Sequence, residues 1–157
     1  MNEVIRSRIE QIRRGEVPEG YKKTKAGIVP EEWENYHFYD LFVPYNKHTQ
    51  ELDLYPLYSL TIENGVTAKT GRYERSHLVK KEEAYKIVRP NDFVYNPMNL
   101  RFGAVSRYKG DNRICVSGYY DIFTTKHNSD LLFMDYYLTS DKMIVYYNKV
   151  STGSLIE

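Results

Sequence analysis

Apolar residues recur at helical spacing near both ends of the chain and at strand spacing in between. Over residues 2–14, NEVIRSRIEQIRR, Val4, Ile5, Ile9 and Ile12 share one side with charges between them, which predicts an amphipathic helix. Gly15 and Pro18 end it. Residues 15–30, GEVPEGYKKTKAGIVP, are broken repeatedly by glycine and proline and read as a connector. From Trp33 onward the period shortens. Runs at Leu57–Ile62, Tyr85–Val88, Phe93–Tyr95, Ala104–Tyr108, Ile114–Val116 and Tyr119–Thr124 are rich in Tyr, Val, Ile and Phe. Between them stand turn signals such as Asn64-Gly65, Arg89-Pro90-Asn91-Asp92, Asn96-Pro97 and Lys109-Gly110-Asp111-Asn112, so short strands joined by tight loops are expected. Ser129–Ser140, SDLLFMDYYLTS, predicts a helix capped by Ser129 or Asp130, with Leu131, Met134, Asp135 and Leu138 on one face. Lys142–Tyr147 fits either a continuation of that helix or a strand.

The pattern predicts an α+β fold: one compact domain of short, strongly curved, mostly antiparallel strands and a few helices, behind a short N-terminal helix. The expected organisation is a helix and connector over 1–29 and a globular domain over 30–157. With 157 residues and 41% hydrophobic content, the chain suits one domain with a real core. Cys115 is the only cysteine, which rules out an internal disulfide and fits a reduced, cytoplasmic setting. No apolar run is long enough to span a membrane, and the opening Met-Asn-Glu-Val-Ile-Arg lacks the apolar core of a signal peptide. Sixteen tyrosines are unusual; each offers a flat apolar face with a polar tip, suited either to half-buried strands or to gripping a partner.

Charge changes the picture once it is divided along the chain. The net value is +1, yet residues 61–113 carry eleven Lys/Arg against six Asp/Glu, and both flanks are net acidic. This basic stretch coincides with the densest loops. Arg72, Arg75, Lys80, Lys81, Arg101, Arg107, Lys109 and Arg113 are placed to meet phosphates, each neutralisation releasing condensed counterions. Arginine also forks onto guanine and asparagine onto adenine in the major groove, and Asn64, Asn96 and Asn99 stand in or beside the same loops. A solvated polar surface is the plainer account of the same charges.

Four phrases sharpen the choice. Tyr21, Lys22, Thr24, Gly27, Pro30 and Trp33 match in order a YKxTxxGxxPxxW lead-in. Asn91-Asp92-Phe93-Val94-Tyr95-Asn96-Pro97-Met98, followed by Gly103-Ala104-Val105, is similar to a G-D-F-x-Y-N-P-M … G-A-I/V strand pair, with Asn91 where glycine is usual. Val116-Ser117-Gly118-Tyr119-Tyr120-Asp121-Ile122-Phe123 is similar to V-S-P-x-Y-x-V-F, with Gly118 replacing proline, and Ser151-Thr152-Gly153 to a closing S-x-G. Together they span about residues 20–154, and the chain resembles a target-recognition domain of type I restriction–modification specificity subunits. The resemblance implies sequence-specific recognition of double-stranded DNA without catalysis or cofactor. It also implies assembly with methyltransferase (modification) subunits, through them with restriction subunits, and self-association. A full specificity subunit has two such domains separated by long helices; one domain here suggests a half subunit or a fragment.

On that reading the DNA-contacting candidates lie in the loops 69–75, 96–101 and 106–113. Arg72, Arg75, Arg101 and Arg107 are expected on phosphate or guanine, Lys69, Lys109 and Arg113 on phosphate, and Tyr73 and Tyr108 against sugars or bases, with Asn99 beside them. Gly103 permits a close backbone approach, and Pro90 and Pro97 stiffen the flanking loops. Asn96 is expected to order its own turn rather than touch adenine. Catalytic signals do not assemble. His37, His48, His77 and His127 lack metal-ligand spacing, Ser117 lacks the first glycine of a nucleophile elbow, and no GxxxxGKS/T phosphate loop occurs. Asn96-Pro97-Met98 lacks the second proline and the aromatic residue of an amino-methyltransferase site. The competing reading is a tyrosine-rich protein-interaction module that binds no DNA.

Overall fold

The computed structural model describes residues 2–25, 27–69, 84–127 and 131–151. Two compact units emerge, residues 1–37 and 38–157. In the first, helix α1 runs Glu3–Arg13, and the Asn2 side chain caps it by accepting from the Val4 amide at 3.0 Å. No residue of α1 is buried. The stretch read as a connector contains a hairpin, β1 (Tyr21–Thr24) against β2 (Gly27–Pro30), with Tyr21 opposite Pro30. Gly27 adopts a φ of +125°, and the Thr24 hydroxyl donates to the Gly27 carbonyl at 2.9 Å. The same glycine that reads as a breaker is what lets the chain double back.

The second unit opens with a single turn, α2 (Phe38–Leu41), and continues through β3 (Phe42–Pro44), β4 (His48–Thr49), β5 (Tyr58–Thr61), β6 (Gly65–Ala68), β7 (Tyr85–Val88) and β8 (Phe93–Tyr95). A 3-10 turn at Leu100–Phe102 precedes β9 (Val105–Arg107), β10 (Ile114–Ser117), β11 (Asp121–Thr125), α3 (Leu131–Leu138) and α4 (Asp141–Ser151). Among the described residues the strand pairs are antiparallel, with one isolated parallel bridge from Leu57 to Cys115: β3-β11-β8-β9 form one sheet, β10-β7-β4 another, and β5-β6 a hairpin. The fold is α+β. The undecided stretch Lys142–Tyr147 is helical and separate from α3, because Ser140 intervenes and its hydroxyl oxygen accepts from the Met143 amide at 3.4 Å. The expected caps Ser129 and Asp130 lie outside the described residues.

The four-stranded sheet is covered on both faces, and side-chain alternation shows how. Val94 and Ile122 point into a core with Val88, Tyr108, Ile114, Val116 and Tyr120. Their neighbours Phe93 and Phe123 point the other way, into a core with Phe42, Val105, Leu138, Met143 and Tyr147. There Phe93 stacks on Phe123 at 5.2 Å and Phe42 meets Phe123 edge-on at 5.0 Å. Removing a buried phenylalanine from such a cluster costs about 3–5 kcal/mol. Burial also raises the Tyr147 and Tyr95 phenols above their ordinary range.

Two departures from the resembled phrases have local causes. Asn91 takes a φ of +70°, a left-handed conformation that asparagine tolerates better than other side-chain-bearing residues. Gly118 donates its amide to the Ala84 carbonyl at 2.7 Å, a bond that proline could not make.

Candidate nucleic-acid interface

The loop Arg89–Asp92 sets the frame. Asp92, 1% exposed, accepts from the Arg89 amide at 2.8 Å and from two guanidinium nitrogens, Nε and one Nη, at 3.0 Å each. The bond to this carboxylate raises the Arg89 pKa, and the guanidinium lies 3.7 Å from the centre of the Tyr45 ring. Next in the chain, Asn91 accepts from Arg107 Nη at 2.7 Å. Arg107 also donates through Nε to Asp135 Oδ2 at 3.2 Å, and Lys109 Nζ reaches the same oxygen at 3.1 Å. Asp135 is buried on α3, at 7% exposure. The two cations differ sharply in setting: the Arg107 side chain is 16% exposed and that of Lys109 66%.

Arg107, Lys109 and Asp135 line a groove of about 420 Å³. One wall is the β5–β6 turn with Glu63, Asn64 and Gly65; the other carries Asp135, Tyr136 and Thr139 of α3 and the following turn, with Ser106 also in the lining, so two carboxylates face the two cations. Gly65 has a φ of +65°, and a Cβ there would stand 2.6 Å from Ser106 Oγ, so this glycine sets how closely the turn approaches β9. Gly103, expected to permit a close approach, ends the 3-10 turn at a φ of +89° with Ile144 of α4 only 3.0 Å from where its Cβ would be.

The sequence-derived candidates therefore divide. Arg107 and Lys109 are brought together on one carboxylate. Asn99 is exposed at the start of the 3-10 turn, and Arg101 within that turn lays its guanidinium over Phe102 at 4.6 Å. Lys69 ends the β5–β6 hairpin away from its turn, its amide donating to Leu57, and Arg113 is exposed just before β10. Tyr108 needs correcting: at 4% exposure it packs edge-on against Tyr58 at 5.8 Å and under Gly110, leaving no ring face for a base. The strand turns that ring inward, and burial raises its phenol pKa. Arg72, Tyr73 and Arg75 lie outside the described residues. Asn96 orders its own turn, its Oδ1 accepting from the Met98 amide at 3.0 Å.

Asp135 was not among the candidates, although the sequence carries its signal: an acid on the apolar face with Leu131, Met134 and Leu138 must find a cation when that face is buried. Several apolar side chains of α3 and α4 face solvent. Leu132, Phe133, Val145, Tyr146 and Val150 are all exposed. No group of acidic, histidine or cysteine side chains among the described residues could hold a metal ion, and no described helix is long and apolar enough to cross a membrane. The chain matches no known protein family and no curated protein.

Proposed function

We propose that residues 38–157 read double-stranded DNA, as one target-recognition domain of the type I specificity kind. The domain carries no catalysis of its own and directs methyltransferase subunits, and through them restriction subunits, to a site. The observation that carries this reading is the mounting of the basic stretch: β9 and the residues after it hold Arg107 and Lys109 on a frame fixed by Asn91, Asp92 and Asp135, beside a groove open to solvent. Side chains ordered before binding lose little freedom on meeting a duplex, and the four sequence phrases supply the reason to name DNA rather than another polyanion. The test is fluorescence anisotropy with pooled random duplexes, followed by selection of a preferred site. Expected is an affinity that falls steeply with salt, each phosphate contact adding about 0.9 to the log–log slope, and a preferred sequence on selection. Salt-independent binding, or selection that enriches nothing, refutes the reading.

The exposed apolar face of α3 and α4 favours a second reading, a protein-interaction module. The two are separable: replacing Leu132 and Phe133, neither of which lines the groove, by serine abolishes a protein contact and leaves the salt dependence of duplex binding as it was.

A further inference from the structure

The β5–β6 hairpin stands apart from the two larger sheets: among the described residues its strands pair only with each other. Its base is fixed. Tyr58, Leu60 and Val66 pack against the core around Tyr108 and Ile114, and Gly65 lies against Ser106 of β9. Its tip reaches into solvent. Ile62 is 53% exposed, and Glu63 and Asn64 are exposed beside it. The turn is held by the Asn64 backbone amide, which donates to the Thr61 hydroxyl at 3.1 Å, so no side chain of the tip is used to close it. Neither the Glu63 carboxylate nor the Asn64 carboxamide has a hydrogen-bond or ion-pair partner among the described residues.

We propose that this hairpin enters the major groove of a duplex and that Glu63 and Asn64 at its tip read base edges. The assignment rests on the DNA reading above. A two-stranded ribbon fits a major groove about 12 Å wide. Charge decides what the tip can meet there. Asp135 already holds both Arg107 and Lys109, and Glu63 adds a second carboxylate to the same lining, so cations and anions are matched. Nothing at the tip draws a phosphate, and the unpartnered Glu63 repels one. Base edges are uncharged and carry the complementary groups: a carboxylate accepts from the amine of cytosine, and a carboxamide forks onto N6 and N7 of adenine. Both side chains give up only water on binding, and the anchored base of the hairpin limits the freedom lost. Glu63 also rejects wrong bases, because a guanine or thymine carbonyl opposite it leaves the carboxylate desolvated and unpaired. Phosphate contacts along the basic stretch then supply affinity, and the hairpin tip supplies preference.

The experiment runs site selection from random duplexes on the full chain and on its Glu63→Gln and Asn64→Ala variants, then measures the affinity of each for random and selected duplexes against salt. Both substitutions fall on exposed side chains that hold nothing in the turn, so the variants keep the fold. Glu63→Gln lowers the preference for cytosine at one position about tenfold, and Asn64→Ala lowers that for adenine at a neighbouring position by a similar factor. Neither variant weakens binding to random duplexes or changes the log–log salt slope. A chain that binds no duplex, or that selects no site, overturns the DNA reading and the hairpin assignment together. A chain that selects a site which both variants leave unchanged overturns the hairpin assignment alone. So do variants that lose affinity for random and selected duplexes alike with a shallower slope, the mark of a phosphate contact.

Discussion

Asp92→Ala tests the frame on which the candidate interface is built. The carboxylate is almost wholly enclosed and accepts three bonds from Arg89. Alanine strands the Arg89 amide in a part-buried turn, at a cost of about 1–3 kcal/mol. The guanidinium fares better, because a third of the Arg89 side chain is exposed and can rehydrate, and the Tyr45 ring still covers one face. Breaking a fully buried pair costs about 3–5 kcal/mol, and the exposure of Arg89 places this case at the lower end, about 3 kcal/mol. Asp92→Asn retains one acceptor oxygen for the amide but cannot serve the charged fork, so about half that loss is expected. The assay is urea unfolding followed by near-UV tyrosine circular dichroism, since fourteen of the sixteen tyrosines belong to residues 38–157 and Trp33 does not. With a slope of about 2 kcal/mol per molar urea, the midpoint of the alanine variant falls by about 1.5 M. A shift below about 0.3 M, or an asparagine variant as damaged as the alanine one, refutes the reasoning.

Two further outcomes follow from the same geometry. Asn91→Ala keeps the left-handed backbone and loses the Arg107 bond, and is expected to cost about 1–3 kcal/mol in thermal melts; Asn91→Gly relieves the backbone while losing the bond and stays within about 1 kcal/mol. Equal melting of the two variants would contradict this. Burial pushes the Cys115 thiol from 9.0 up to about 12, so above pH 9 the unfolded chain releases a proton that the folded chain keeps. Stability then falls as pH rises toward 12, by at most about 1.4 kcal/mol per pH unit from this group. Cys115→Ala should show a shallower alkaline decline in urea midpoints between pH 9 and 10.5, and an unchanged decline would be contrary evidence.

Much of the fold was legible, and the failures have physical reasons. Strands β7 and β8 fall where the runs Tyr85–Val88 and Phe93–Tyr95 place them, because both are nearly all apolar and end on strong turn signals. Strand β6, Gly65-Val66-Thr67-Ala68, has small side chains and little signal; pairing with β5 makes it a strand. Strand β4 is two residues long, too short for any period to show. At the candidate interface, the sequence clusters Arg107, Tyr108 and Lys109 in one loop, but the alternation that begins in β9 sends the middle residue into the core and turns its neighbours toward Asp135. The partner that joins those two, Asp135, lies on a helix 28 residues beyond Arg107, a proximity that depends on tertiary packing.

The pairing of β3 with β11 has a consequence for synthesis on the ribosome. Pro44 sits opposite Phe123 and Phe42 opposite Thr125, so the partner of β3 emerges roughly 80 residues later. At about 5–20 residues per second, Phe42 and Val43 wait roughly 4–16 s for that strand. Until then neither the four-stranded sheet nor the phenylalanine cluster around Phe123 can close. A nascent chain of this protein should therefore engage chaperones that hold unfolded polypeptide, and stalling translation before residue 121 should leave Phe42–Pro44 and Phe93–Tyr95, whose partner strand is missing, sensitive to protease.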